Sequence, residues 1–389
     1  MIIRTILSFL TGIWIALIVL TNIAVATQII PLGDLPGGIY SSSAYAVSGD
    51  GTTVVGSSQG AGNEKAFRWT KSGGMIGLGD LAGVPDPRSI AYAVSADGSV
   101  VVGYSQAARG DAPFIWTQHG GISAIGGLDY GSEARGISAN GKIVVGTYMP
   151  VIYGDLWTAF KWTQSGGFVN LGDLPGDSSG NRIESHATAI SANGNVIVGW
   201  SYTNNSEVNA FRWTKKEGMI SLGDATQSAT AISGNGKVIV GYYDMGEPNM
   251  QAFRWTQNGA LVSLGSLPGG SSFAFAEAVS FDGSVVLGMS DTNDGVRAFI
   301  WDECHGMRDL KDVLTTRYNI DLAGWTLYSA TGISFDGLTI VGNGHSPIGL
   351  DTAWLIDLAP RTAVPEPSTM LLLASGLVGL AALRKKFKR

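Results

Sequence analysis

The sequence predicts an all-β chain folded as a seven-bladed β-propeller closed by an N-terminal strand, with a signal peptide before it and a C-terminal membrane helix after it. Three recurring segments predict this. The first is Ser-x-Asp/Asn-Gly-x-x-aliphatic-aliphatic-Gly, found at Ser48–Gly56, Ser95–Gly103, Ser138–Gly146, Ser191–Gly199, Ser233–Gly241, Ser280–Gly288 and Ser334–Gly342. The second is aromatic-x-Trp: Phe67/Trp69, Phe114/Trp116, Phe160/Trp162, Phe211/Trp213, Phe253/Trp255 and Phe299/Trp301, with Ala353-Trp354 as the seventh copy. The third is Leu-Gly-Asp-Leu, at Leu32–Leu35, Leu78–Leu81 and Leu171–Leu174, with looser forms at Ile125–Leu128, Leu222–Ala225, Leu264–Leu267 and Met307–Leu310. A repeat of roughly 40–50 residues is the length of a propeller blade.

The strands of one unit can be read in order. Ala91 to Val94 begins a strand, and Asp97-Gly98 is expected to form a two-residue type I′ turn, which needs positive φ at both positions. Val100 to Val102 returns. Phe114 to Trp116 is a third strand with both aromatics on one face, since side chains alternate. Gly120-Gly121 turns the chain into a fourth strand, Ile122 to Ile125. Four short antiparallel strands per unit make a blade. The pairs Ala44/Ala46 and Ala91/Ala93 suit a crowded axis. The chain opens on a fourth-strand segment, Ile29 to Leu35, and its last unit ends on a third strand, Thr352 to Leu358. The N-terminal strand is therefore expected to complete the last blade, removing exposed edges. A stacked β-solenoid is the alternative arrangement of the same strands.

Composition agrees. Glycine is 55 of 389 residues, and each glycine inside a helix costs about 1 kcal/mol, which excludes a helical bundle. Eleven Trp, thirteen Phe and twelve Tyr exclude disorder. Only 14% of residues are charged and the net charge is −6, so no nucleic-acid partner is expected. A single cysteine, Cys304, excludes an intrachain disulfide framework.

The ends read as addresses. Residues 1–26 form a signal peptide: Arg4, an apolar stretch, then Ala24-Val25-Ala26, with Ala24 and Ala26 marking cleavage by signal peptidase. Residues 27–360 are the propeller body. Residues 361–369 are a linker holding Pro365, Glu366 and Pro367. Residues 370–383 are a short transmembrane helix, and 384–389 a basic cytoplasmic tail. Fourteen helical residues span about 21 Å, less than the roughly 30 Å hydrocarbon core, which suits a transient anchor in the inner membrane. Removing both ends deletes six basic residues, so the exported body is more acidic than the whole chain.

Pro365-Glu366-Pro367, a short apolar helix and a basic tail, in that order, resemble the PEP-CTERM sorting signal of Gram-negative bacteria. The resemblance implies recognition by an exosortase as partner, removal of the helix, delivery to the cell surface or matrix, and a link to extracellular polysaccharide and biofilm. The repeat units resemble the HAF family of extracellular repeats. Its His-Ala-Phe tripeptide corresponds to Lys65-Ala66-Phe67, Thr158-Ala159-Phe160, Asn209-Ala210-Phe211, Gln251-Ala252-Phe253 and Arg297-Ala298-Phe299, none of which carries the histidine. That likeness implies location and architecture rather than an activity.

The chemistry-bearing residues are sparse. The Asp/Asn-Gly positions (Asp50, Asp97, Asn140, Asn193, Asn235, Asp282, Asp336) read as turns rather than calcium ligands, and Asp34, Asp80, Asp173 and Asp224 as turn-closing residues rather than a metal or sugar ring. His119, His186, His305 and His345 lack the i, i+4 spacing of a zinc helix and are expected in loops. Cys304, beside His305, reads as a half-buried thiol. No complete phosphate loop occurs, and no cofactor or metal is expected. Met307 to Leu314 is expected to form one or two helical turns capping the last blade. Tyr153, Trp157, Trp200 and Tyr202 are the candidate ligand contacts, since aromatic faces stack on sugar rings; packing between blades is the competing reading. The expected function is a non-enzymatic binding or structural component of the cell surface or exopolysaccharide matrix. The alternative is a propeller glycoside hydrolase or lyase.

Overall fold

The computed structural model describes residues 28–126, 131–149, 156–174, 184–203, 207–223, 228–244, 250–259, 261–322 and 324–358. Residues 28–358 form one compact unit, whose described residues make seven four-stranded antiparallel sheets and one short helix. The predicted signal peptide, linker, membrane helix and basic tail lie outside the described residues. Among the described residues no helix is long and apolar enough to cross a membrane.

Blade one runs Ser42–Val47, Thr53–Gln59, Glu64–Thr70 and Gly74–Gly77, paired in that order. Five further blades repeat this, beginning at Ser89, Glu133, Ser185, Ser228 and Ala274. Blade seven takes three strands from the end, Thr326–Ile333, Thr339–His345 and Asp351–Asp357, and its fourth from the beginning, Ile29–Pro31. Ile30 pairs with Leu355 in that closing seam, and Leu32 N–H adds a bond to Ala353 O at 2.9 Å. The first strand of each blade contacts the first strand of the next, and that of blade seven contacts that of blade one. The sheets therefore form a closed ring around an axis lined by first strands, and the solenoid alternative is excluded.

Each interface between blades is packed by the repeated aromatic. Phe67, Phe114, Phe160, Phe211, Phe253 and Phe299 are all fully buried, each worth roughly 1.5–3 kcal/mol of transfer free energy. Each lies opposite the last glycine of the Ser marker, as in Gly103↔Phe114. A Cβ on Gly103 would sit 1.9 Å from Ile90 O, so the close approach of the first strand admits no side chain there. The seventh copy shifts the register. Trp354, fully buried, pairs with Gly342 and so takes the phenylalanine position, while Ile356 takes the tryptophan position. The sequence pattern had aligned Trp354 with the other tryptophans; one large ring fills the space opposite the glycine, and either aromatic serves.

The turns between first and second strands differ from the expected type I′ hairpin. Asp97 does not adopt positive φ; only Gly98 does, at 70°. The connection runs from Ser95 to Ser99. Ser95 Oγ accepts from Val100 N–H at 3.0 Å and donates to Asp97 Oδ1 at 2.6 Å. The same oxygen accepts from Ser99 N–H at 3.1 Å. The serine makes the turn longer than two residues by offering the backbone a side-chain partner. Adjacent turns are joined around the axis: Asp50 N–H to Ala96 O, Ala96 N–H to Ala139 O, Ala139 N–H to Ala192 O, Ala192 N–H to Gly234 O, Asn235 N–H to Phe281 O and Phe335 N–H to Gly49 O.

Three further expectations are corrected. Met307–Asp309 belongs to the fourth strand of blade six, and the helix is the nine residues Leu310–Tyr318. Asp309 caps it, accepting from Lys311 N–H, and Asn319 ends it with φ 52°. Its Leu310, Val313 and Leu314 are buried; Leu310 and Leu314 pack with Trp325, Leu327 and Trp354. It thus wedges between blades six and seven. Cys304 is exposed, because the Asp302–Gly306 turn stands at the surface. His186 and His345 lie in strands, not loops.

Candidate functional site

Every first strand carries a β-bulge at one place. The register skips a residue between the two small residues of the Ala-x-Ala pattern, leaving Tyr45, Tyr92, Arg135, Thr188, Thr230, Glu277 and Thr331 outside the ladder. A bulge frees a side chain from strand pairing and re-aims it. In three blades the freed residue is a threonine that stitches the ring. Thr188 Oγ1 donates to Ala229 O, Thr230 Oγ1 to Ala276 O and Thr331 Oγ1 to Ala44 O, at 2.6–2.9 Å.

In blades one to three the freed residues are large and contact one another in series. Tyr45 and Tyr92 meet edge to face at 5.5 Å, and the Arg135 guanidinium lies 4.1 Å from the Tyr92 centroid. Tyr92 also stacks on Tyr104. Arg135 pairs with Glu133, and Arg88 pairs with Glu64 at 2.7 Å. Burial pushes the Tyr92 phenol well above its ordinary range, an effect Arg135 opposes.

The series continues into blade four at the end where the first strands begin, opposite the Ser-x-Asp/Asn-Gly turns. His186 pairs with Trp200 across the first two strands, and their rings stack at 3.8 Å and 18°. Trp157, from the edge of blade three, approaches His186 at 5.8 Å. Tyr202 meets Trp200 edge on at 5.8 Å. Three of the four sequence-predicted contacts, Trp157, Trp200 and Tyr202, are thus brought together; Tyr153 lies outside the described residues. His186, read from sequence as an isolated loop residue, is the hub. Burial, with Arg135 nearby, lowers its pKa to about 4, so it is neutral at physiological pH. Nδ1 lies 3.3 Å from Thr147 Oγ1. Nε2 has no hydrogen-bond partner; Glu184 Oε2 stands 3.9 Å away. Burial raises the Glu184 and Asp111 carboxyls above the usual range. The arrangement offers stacking faces, paired guanidinium and carboxylate groups, and a neutral imidazole.

Asp97 and Asp80 are engaged in local contacts. Hydrogen bonds from Ser95 and Ser99 hold the Asp97 carboxyl below its usual range, so its oxygen is engaged within its own turn. Asp80 accepts from Lys65 Nζ at 3.0 Å and from Ser89 Oγ at 2.7 Å. The leucine that ends each of four such segments donates its N–H to the next blade: Leu35 to Ser58 Oγ, Leu81 to Ser105 Oγ, Leu174 to Ser201 Oγ and Leu267, which follows Ser266, to Ser290 Oγ, at 3.0–3.2 Å. Among the described residues no group of three or more His, Cys, Asp or Glu side chains could hold a metal. Asp224, the sorting motif Pro365, Glu366 and Pro367, and the cleavage positions Ala24 and Ala26 lie outside the described residues.

No curated protein matches the sequence. Many solved structures match the fold. An oligogalacturonate lyase in complex with manganese is similar over 87% of this chain and 99% of its own, at 9% identity and a TM-score of 0.51. A structure from a study of two prolyl endopeptidases covers 84% of this chain and 51% of its own, at 13% identity and 0.54. TolB from Acinetobacter baumannii covers 66% of this chain at 13% identity and 0.45, and this chain spans 62% of that one. At such identities the likeness is one of fold alone. Residues 363–386 match the PEP-CTERM protein-sorting motif, which implies export, sorting to the surface of a Gram-negative cell and processing by an exosortase. The chain therefore carries a PEP-CTERM sorting motif behind a seven-bladed propeller body.

Proposed function

We propose that the chain is a non-enzymatic propeller, released by exosortase to the cell surface or matrix, whose arc across blades one to four binds extracellular polysaccharide. Its N-terminal signal peptide starts that export, and its C-terminal helix holds it briefly at the inner membrane. The observation that carries the binding role is the Trp157–His186–Trp200–Tyr202 ladder. Large aromatic faces supply contact area at low conformational cost, and the neutral imidazole adds a hydrogen-bonding group without a charge to desolvate. Affinity electrophoresis through gels containing bacterial exopolysaccharide tests this. The wild-type protein is expected to be retarded, and Trp200→Ala to weaken binding at least tenfold with its melting temperature little changed. Equal retardation of the two proteins would sink the proposal. The half-buried carboxyls of Asp111 and Glu184, both raised above the usual range, are what favour the alternative, a glycoside hydrolase or lyase; release of reducing or unsaturated ends from the same polysaccharide would establish it.

A further inference from the structure

The residue between the phenylalanine and tryptophan of the third strand points into the cleft before the next blade. In blade one it is Arg68, whose Nε donates to Gly98 O at 3.3 Å. In blade five it is Arg254, whose Nε donates to Gly283 O at 3.4 Å and whose guanidinium lies 5.8 Å from the Trp301 centroid. In blade three Lys161 lies 5.8 Å from the Trp213 centroid. The fold thus covers these clefts with a cation from the preceding blade, set over a tryptophan or a turn carbonyl of the following one.

In blade four the equivalent Arg212 pairs instead with Glu217 of its own blade, at 2.6 Å, and blades two, six and seven carry an aliphatic residue there. In blade two it is Ile115, which can neither bond the Gly141 carbonyl nor act as a cation over Trp162. A groove of ≈ 700 Å³ remains between blades two and three, lined among others by Ile115, Thr117, Ser123, Lys142, Trp162 and Gln164. The other two aliphatic replacements have different surroundings. Ile300 of blade six packs against the core that holds Leu310 and Leu314 of the helix. Leu355 of blade seven is 4% exposed and packs in one cluster with Leu32 and Trp69.

We propose that the cleft between blades two and three is a saccharide-binding site that takes an acidic sugar residue. The volume is that of a small-ligand pocket. Trp162 lends an aromatic face, while Thr117, Ser123 and Gln164 lend hydroxyl and amide partners. Among the described residues that line it, Lys142 is the one charged group and none is a carboxylate, a local reversal of sign on a chain of net charge −6. That lining favours a carboxylate-bearing sugar over a neutral or cationic one. The groove sits at the Ser-x-Asp/Asn-Gly turn end of the ring, opposite the aromatic arc, and rests on observations independent of it. Two such sites on one body would let it bridge polymer chains and gain avidity without further contacts.

The test is isothermal titration with a glucuronic acid oligomer and a glucose oligomer of equal length. It is done in the Trp200→Ala background, where the contribution of the arc is reduced, and the groove's share is what Trp162→Ala removes in that same background. The acidic oligomer is expected to bind and the neutral one to bind at least tenfold more weakly. Ile115→Arg, which installs the residue used in blades one and five, should close the groove and abolish binding without lowering the melting temperature. Trp162→Ala should weaken binding at least tenfold. Undiminished binding by the Ile115→Arg protein, preference for the neutral oligomer, or no binding of either would overturn the proposal.

Discussion

Glu277 shows how much a single position in the ring can differ from its six equivalents. It occupies the bulge site that threonines use for stitching, yet its Oε2 is buried without a hydrogen-bond partner. Burial pushes its carboxyl up to about 8, from an ordinary value of 4.5. The folded state then holds the acid neutral while the unfolded chain ionises it. The resulting loss of stability grows as pH rises through 4.5 and levels off above about 8. Melting temperature should fall by several degrees between pH 5 and pH 8. Glu277→Gln, which keeps the shape without titrating, should flatten that slope and raise stability at pH 8 by up to a few kcal/mol. Parallel pH profiles for the two proteins would contradict this account. The glutamate was visible in the sequence between Ala276 and Ala278, but its isolation was not. The Ala-x-Ala pattern says that space is short at the axis; only the bulge reveals that the middle residue leaves the ladder.

At the scale of the element, the seven turns are held by one serine each. Ser48, Ser95, Ser138, Ser191, Ser233, Ser280 and Ser334 are buried, and each donates to the Asp or Asn two residues on. Ser95→Ala would leave Val100 N–H without its side-chain acceptor and free Asp97 from its strongest hydrogen bond. A loss of about 1–3 kcal/mol is expected, measurable by urea unfolding; a change within error would show that the backbone alone holds the turn. The recurrence of Ser-x-Asp/Asn-Gly made these turns predictable, while their type was not. Asp-Gly and Asn-Gly suit a two-residue hairpin in isolation, but the serine three positions before the glycine supplies a competing acceptor. Likewise, the helix was placed near its true position but begun three residues early, because Met307–Asp309 finds a strand partner in Trp301 and its neighbours, a pairing invisible along the chain.

For the molecule as a whole, the seam between Ile29–Pro31 and Asp351–Asp357 decides whether the ring closes. Deleting residues 28–35 would strip blade seven of its outer strand and of Leu32, which is buried against Trp69 and Leu355. It would also expose an unpaired strand edge. The deleted protein is expected to melt at a markedly lower temperature and to form larger species on size-exclusion chromatography. An unchanged melting temperature and a monomeric profile would mean that closure does not depend on this strand. The seam was legible because the first and last units were each incomplete and their missing parts were complementary.

What the amino-acid order determined by itself was periodic: blade number, strand order, the buried aromatic in each unit, the closing strand and the sorting motif at the C-terminus. Periodic features repeat the same local physics seven times, so each copy corroborates the rest. What only the tertiary structure decided was the exceptions. Trp354 replacing a phenylalanine, His186 meeting Trp157 and Trp200, Glu277 alone at the axis and Ile115 leaving a cleft open all depend on which residue of a neighbouring strand or blade stands opposite. That neighbour lies across a strand pair, as Gly342 does for Trp354, or in another blade, as Trp162 does for Ile115, and the repeat spacing names neither.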